Sequence, residues 1–281
     1  MFAVAHLNLP KSEAYSISNR KMSLKNKTAV VFGGLGGIGL EIGKHLLQNG
    51  VSKLYILDMF ETMDLEKKSE LQSCNVDCAI FYDKCDITEK MRMENLLRTI
   101  VLSRLSFIDI FVNSVGIIDE QDPERVIATN LLGTVNSSLI ALDIMSLDKT
   151  GLGGYIINIA SIAGLEPFPY CSTYTASKYG IVGFTRSLGI DTVLVKTGVK
   201  FMTICPGATE TMLFQKPNTS SVFLLPWMEE PGRRLMRKIA IQRPSVVGEC
   251  VIRALVEGET GSVWVCAGGK IEHVSMPLTY E

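Results

Sequence analysis

Two periodicities alternate along this chain. Short apolar and β-branched runs read as buried strands: Thr28 to Phe32, Leu54 to Leu57 (ending on Asp58), Cys78 to Tyr82, Ile108 to Val112, Tyr155 to Ile159, Val199 to Cys205 and Ser262 to Cys266. Between them, apolar residues recur at helical spacing. A first helix carries Leu40, Gly43, Leu46 and Leu47 on one side and stops at Asn49-Gly50. Further helices are expected over Met63 to Ser73, Thr88 to Arg104 with Thr88 as cap, Pro123 to Leu147 and Thr173 to Val195, then two short ones in a looser region running to Glu257. Strands alternating with helices at this rhythm predict a single doubly wound α/β domain. Its mostly parallel seven-stranded sheet is covered on both faces.

In such a sheet ligands bind outside the carboxyl ends of the strands. Asp58, Asp86, Asn113, Ser161 and Pro206 all fall at such ends. The first strand turns through Gly33-Gly34-Leu35-Gly36-Gly37-Ile38-Gly39 into the first helix, so Gly34-x-Gly36-x-x-Gly39 opens a strand-helix-strand unit. One glycine permits the tight turn, one lets a pyrophosphate approach the backbone, and one lets helix and strand pack closely. The phosphates then sit on the positive end of the helix dipole. Asp58 ends the second strand, where a carboxylate accepts from both ribose hydroxyls and repels a 2′-phosphate. Neither Leu35 nor Met59 supplies a cation to hold one. The unit is that of a Rossmann-type dinucleotide site, and it favours NAD over NADP.

Composition narrows the classes. With 281 residues, 47% hydrophobic and 20% charged, the chain can build one large core. A net charge of -1 argues against a nucleic-acid footprint. No uninterrupted apolar run reaches the ~18 residues that suggest a bilayer span. Seven cysteines are too few for a disulfide scaffold here, and Cys74-x-x-x-Cys78 has no histidine nearby, which argues against a metal site. The expectation is a reduced, cytoplasmic protein. Residues 1–22 carry no sustained period and read as a disordered extension, with Met22 as an alternative start; 23–281 form the domain.

Tyr174-Thr-Ala-Ser-Lys178 sets a phenol and an ammonium one helical turn apart. A tyrosine with a reference pKa of ~10 is a poor base at neutral pH, and a nearby cation lowers that value. The pair can then exchange a proton with a substrate hydroxyl. Ser161, 13 residues upstream at a strand end, offers a hydroxyl to hold the substrate oxygen.

The set Gly34-x-Gly36-x-x-Gly39, Asp58, Asp86-Ile87, Asn113-Ser-Val-Gly116, Asn130, Ser161, Tyr174-x-x-x-Lys178 and Pro206-Gly207 resembles the short-chain dehydrogenase/reductase family over nearly all of Lys25 to Cys266. Gly34 to Leu40, Val115 to Asp119 and Gly261 to Trp264 are worded like insect-type alcohol dehydrogenases and NAD-dependent 15-hydroxyprostaglandin dehydrogenases. The resemblance implies a catalytic tetrad: Tyr174 as acid/base, Lys178 lowering its pKa and binding the nicotinamide ribose, Ser161 orienting the substrate oxygen, and Asn130 holding a relay water. It implies cofactor contacts from Gly34, Gly36, Gly37, Ile38, Gly39, Asp58, Asn113, Gly116, Tyr174 and Lys178. Asp86 and Ile87 would flank the adenine, and Pro206, Gly207, Thr209 and Thr211 would hold the carboxamide end. Two positions depart from the family pattern: Phe32 replaces a threonine, and Val115 a smaller residue, adding bulk beside the cofactor.

The expected function is NAD-dependent interconversion of an apolar alcohol and its aldehyde or ketone. The alternative is a non-catalytic NAD- or ligand-binding or storage relative. A substrate lid is expected over about 208–245 and a tail over about 267–281. Phe214, Phe223, Leu224, Leu225, Trp227 and Met228, with Ile271, Val274, Met276, Leu278 and Tyr280, would line a pocket for a mid-sized to large alcohol. Apolar residues on more than one face of the two long helices (Leu131, Val135, Leu139, Leu142; Ile181, Phe184, Leu188, Val195) predict a homodimer, as the family resemblance also implies.

Overall fold

The computed structural model describes residues 23–215 and 223–276. Eight strands form one sheet: β1 Thr28–Phe32, β2 Lys53–Asp58, β3 Ala79–Lys84, β4 Ile110–Asn113, β5 Gly154–Ile159, β6 Val199–Pro206, β7 Val263–Ala267 and β8 Lys270–Val274, in the order β3-β2-β1-β4-β5-β6-β7-β8. All neighbours pair in parallel except β7 and β8. The order reverses between β1 and β4, which places a crevice at their carboxyl ends.

Alternate residues of β1 serve opposite layers. Ala29 and Val31 pack with Ile42 and Leu46 of α1 (Gly37–Gln48) and Val247 and Val251 of the C-terminal helix Ser245–Glu257. Val30 and Phe32 pack with Met93 and Leu97 of the helix Lys90–Ile100 and with Ile140 and Ala141 of the helix Gly133–Met145. Both faces are dry, so the strands read as continuous apolar runs rather than alternating ones.

The remaining helices are α2 Leu65–Cys74, α3 Lys90–Ile100, α4 Pro123–Val126, α5 Gly133–Met145, α6 Ser172–Leu188, α7 Asp191–Thr197, α8 Met212–Gln215, α9 Glu229–Met236 and α10 Ser245–Glu257. A π-helical segment, Ile127–Leu132, joins α4 to α5 without a break. The helix 123–145 is long and apolar enough to cross a membrane by length and composition alone. It carries Asn130, Thr134, Ser137 and Ser138 fully buried on its protein-facing side, the pattern of a core helix.

Several expectations are corrected. The sheet gains an eighth strand, because Gly268 and Gly269, at φ +56 and +80, turn β7 straight back into Lys270–Val274. A Gly-Gly pair with positive φ at both positions suits a tight two-residue hairpin, so much of the expected tail is an edge strand. The long helix expected to Val195 stops at Leu188 and resumes at Asp191, since Gly189 packs against the backbone of Gly261 too closely for a side chain. Thr88 is not a cap: the Asp86 carboxylate accepts from the Thr88 amide (2.9 Å) and hydroxyl (2.8 Å), and α3 starts after Glu89. The extension 1–22, and Leu278 and Tyr280 of the tail, lie outside the described residues.

Candidate active site

The glycine turn forms a cradle because its side chains are missing. Gly33 sits at φ +76 with its amide on the Leu57 carbonyl (2.7 Å). A Cβ on Gly34 would meet Ile56 at 2.8 Å, one on Gly37 would meet Thr211 at 3.0 Å, and one on Gly39 would drive into the Gly33 carbonyl. Gly36 alone has open space beside it: its nearest neighbour would be the Gly33 oxygen at 3.5 Å. Gly36 also caps α1, with no side chain bonding the first-turn amides and no acid in that turn. Free amides, a helix dipole and a bare approach are what a pyrophosphate needs.

Beside the cradle lies a cleft of about 300 Å³, walled by Asp58, Phe60, Asp86, Ile87, Gly116 and Arg125 among others. Asp58 is buried, its two oxygens accepting from the amides of Leu35 (2.9 Å) and Met59 (2.8 Å). Burial raises its pKa; the two amide bonds oppose that. A carboxylate has about four acceptor positions, so two stay available to ribose hydroxyls. Val115, feared for its bulk, packs over Gly33, whose missing side chain makes the room. The Asn113 side chain does not reach the cleft. It donates to Ser138 (3.0 Å) and Asn158 (2.8 Å) and accepts from Ser137 (2.7 Å), in a buried network that Asn158 extends to Thr185 (2.9 Å). The network locks β4, β5, α5 and α6 together and leaves the backbone of Ser114 to Ile117 at the cleft.

Tyr174 and Lys178 are both buried, one turn apart on α6, with the ammonium 5.6 Å from the phenol ring centre. Lys178 Nζ donates to the Ile159 carbonyl (3.2 Å), and a Cβ on Gly116 would stand 3.3 Å from it. Burial lowers the lysine to about 8. Burial also pushes the Tyr174 phenol up to about 12, against a lowering hydrogen bond from Ser161. Ser161 Oγ donates to the Pro206 carbonyl (3.5 Å) and accepts from the Ala163 amide (3.1 Å), fixing it at the end of β5. Asn130, in the π-helical segment, grips Ile117 at both backbone groups: its Oδ1 accepts from the amide (2.8 Å) and its Nδ2 donates to the carbonyl (2.9 Å). Ser161, Tyr174, Lys178 and Asn130 are thus brought to one place from three elements.

A second, smaller cavity of about 100 Å³ opens from Ser161 and Tyr174, lined by Ile38, Ile118, Phe168, Thr211, Leu213 and Ile239 among others. Pro206, Gly207 and Thr209 form its floor where it meets the cradle. The expected lining differs. Leu224, Leu225 and Trp227 are exposed rather than facing the cavity, while Phe223 is buried behind Tyr174 with Ile118 and Cys171. Ile271 packs on the far layer of the sheet, and Met276 against the cluster of Ile181 and Val182. The Phe214 side chain lies outside what the structure describes. Periodicity could not tell a residue that lines a cavity from one that stands on its rim.

Three residues escaped the sequence reading. Arg125 lines the cofactor cleft. Gln242 clasps the turn after β6: its amide donates to the Ala208 carbonyl and its carbonyl accepts from the Glu210 amide (2.9 Å each), and its side chain donates to Cys266 (2.7 Å) and Thr209 (3.3 Å). Glu120, fully buried, accepts from Ser172 Oγ (3.0 Å) and the amides of Thr173 and Tyr174 (2.8 Å each) at the start of α6. None carries a local motif; each acts on residues far away in sequence.

Known proteins fit this geometry. The short chain dehydrogenase family model matches residues 27–221. Alcohol dehydrogenase 1 of Ceratitis capitata is 36% identical over 260 residues, covering 92% of this chain and 99% of that protein. Fat body protein 2 of Drosophila melanogaster is 29% identical over 91% of this chain and 97% of its own. Levodione reductase shares the fold with a TM-score of 0.72 at 20% identity, over 87% of this chain and 97% of that one. An actinorhodin polyketide ketoreductase solved with NADPH has a TM-score of 0.69 at 26% identity, over 89% and 98%. The family model's match over most of the domain, together with the crevice at the sheet reversal, the glycine cradle and the Ser161–Tyr174–Lys178–Asn130 set, shows that this chain belongs to the short chain dehydrogenase family.

Proposed function

We propose that this oxidoreductase is an NAD-dependent alcohol dehydrogenase acting on an apolar alcohol. The observation that carries the reading is that Tyr174 and Ser161 line a small apolar cavity, whose wall residue Ile118 directly follows Ile117 of the cofactor cleft. NAD fits the residues present: the open Gly36 approach and uncapped α1 amides suit the pyrophosphate, and Asp58 the adenosine ribose. Its bound nicotinamide supplies the acceptor for the hydride leaving the alcohol carbon. Lys178 and the Pro206–Thr211 turn would hold its ribose and carboxamide, and Asp86 and Ile87 its adenine.

The chain's own residues do the rest. Ser161 and Tyr174 hold the substrate oxygen between their hydroxyls, and Tyr174 takes the hydroxyl proton as the carbonyl forms. A phenol at about 12 is almost wholly protonated near neutral pH and cannot accept that proton, so the step depends on the positive charge of Lys178 beside it to stabilise the phenolate. Asn130, bonded to Ile117, and the bare Gly116 keep the space beside Lys178 open for a proton to leave. The apolar walls exclude water and favour an alkyl group, each buried methylene strengthening binding by ~0.8 kcal/mol, roughly fourfold.

The reading extends to a homodimer, since Leu132, Leu139, Tyr179 and Val195 stand exposed on the long helices and α7, and to a reducing, cytoplasmic setting for seven free thiols. The test is an absorbance assay of NAD reduction over straight-chain and secondary alcohols. Turnover must appear, kcat/KM must rise over the first few carbons, and Tyr174→Phe must abolish it while NAD binding persists. NAD binding without turnover of any alcohol, in wild type, would establish the storage or binding alternative instead.

A further inference from the structure

We propose that Glu120 is the positioning residue for Tyr174, a remote carboxylate that sets both where the first turn of the catalytic helix stands and how much negative charge surrounds its phenol. The proposal rests on Tyr174 being the proton acceptor.

The start of α6 is unusual. Its N-cap residue is Cys171, which offers no side-chain bond to the first turn. Serine, threonine, asparagine or aspartate at that position would satisfy the orphan amides locally. Glu120 does so instead from 52 to 54 residues away, with one oxygen on Ser172 Oγ and the Thr173 amide and the other on the amide of Tyr174 itself. A local cap travels with its helix. A remote one ties the helix to whatever carries it.

What carries it is the strand-end segment running along the active site. Gly116 abuts Lys178, Ile117 is clamped by Asn130, and Ile118 forms a wall of the substrate cavity. Glu120 fastens the far end of this strap to Tyr174. Cofactor rim, cavity wall and catalytic phenol are therefore held in one register. Glu120 is fully buried, and no lysine or arginine pairs with it among the described residues. Its counter-charge is the positive end of α6. The helix would otherwise stabilise a phenolate in its first turn; Glu120 cancels part of that field and leaves the control to Lys178.

The groups facing Tyr174 are few. Lys178 and Cys171 come from its own helix, Cys205 from β6 and Ser161 from the end of β5, with Glu120 behind its backbone. Removing the Glu120 charge removes an anion near a group that ionises to an anion. The Tyr174 pKa must therefore fall.

The experiment measures kcat/KM for alcohol oxidation against pH in wild type, Glu120→Gln and Glu120→Asp. Glutamine keeps the shape and one good acceptor but loses the charge, and its NH2 faces an amide donor. The expected result is a proton-release limb moved down by about one pH unit in Glu120→Gln, with kcat at its plateau down roughly tenfold. NAD affinity stays within about twofold, because the cradle is untouched. Glu120→Asp should return the limb to within a few tenths of wild type. A limb that stays in place while activity or stability falls would reduce Glu120 to an ordinary helix cap and overturn the proposal. Should wild type turn over no alcohol, the functional reading fails on its own. Difference absorbance of tyrosinate in the NAD complex, wild type minus Tyr174→Phe, then still reports the Glu120 effect. Should Glu120→Gln not fold, Ser172→Ala at an exposed position weakens the anchor alone, with a drop of about threefold in kcat expected and an unchanged kcat refuting it.

Discussion

Replacing Lys178 by methionine should make the apoprotein more stable and catalytically dead. Lys178 is buried, and burial lowers its pKa from 10.5 to about 8. At pH 7 the folded state therefore carries an ammonium that the unfolded chain would hold at a cost lower by about 3 kcal/mol. Methionine has nearly the same length and no charge, so that penalty vanishes. Against it stands the Ile159 carbonyl, which loses its 3.2 Å donor at a cost of about 1–2 kcal/mol. The net gain is about 1–2 kcal/mol at pH 7, a rise in Tm of roughly 4 °C for a domain of this size. The sign against pH is fixed. Between about 8 and 10.5 the unfolded lysine holds its proton while the folded one releases it, so wild-type stability from this group rises with pH. The advantage of Lys178→Met must shrink by about 2 kcal/mol between pH 7 and pH 9.5, below the range where Tyr174 begins to oppose it. Thermal melts of both proteins without cofactor, at those two pH values, decide the matter. A variant less stable at pH 7, or an advantage independent of pH, would show that the ammonium is not held at a penalty.

Asp58→Ala should improve NADP binding relative to NAD by about ten- to a hundredfold, with about 1–2 kcal/mol of stability lost because the Leu35 and Met59 amides lose their acceptor; paired fluorescence titrations and melts check both. Gly116→Ala would press a Cβ to 3.3 Å from Lys178 Nζ, so kcat should fall about tenfold or more while circular dichroism stays unchanged. Leu139→Glu, at an exposed position of α5, should convert a dimer to a monomer in light scattering at micromolar concentration; a dimer that survives would place the interface elsewhere.

Local chemistry was legible in the chain and distant geometry was not. The glycine turn, the seven parallel strands and the one-turn spacing of Tyr174 and Lys178 follow from neighbours in sequence, where period and turn residues suffice. The eighth strand had its signal in Gly268-Gly269 followed by alternating Lys270 to Val274, but its proximity to the end of the chain made it read as tail. Asn113 was placed at the right rim, yet the direction of its side chain depends on Ser138 and Asn158, which arrive from other elements. Glu120 looked like any loop acid, because the helix it serves begins half a hundred residues later. The lining was misassigned for a related reason: an apolar residue is apolar whether it lines a pocket or stands exposed, as Trp227 shows.

The Gln242 clasp has a consequence for how such a protein can change. It pins residue 209 to residue 242 and to β7, so the two ends of the segment between them are held at one stitched point on the sheet. Closing a flexible loop costs only about 0.6 kcal/mol more when its length doubles. The length of the stretch can therefore change at little cost to the sheet, while Thr211 against Gly37 and Phe223 behind Tyr174 are contacts that an exchange must keep. Chimaeras joined at Thr209 and Gln242 therefore test whether substrate preference travels with this segment.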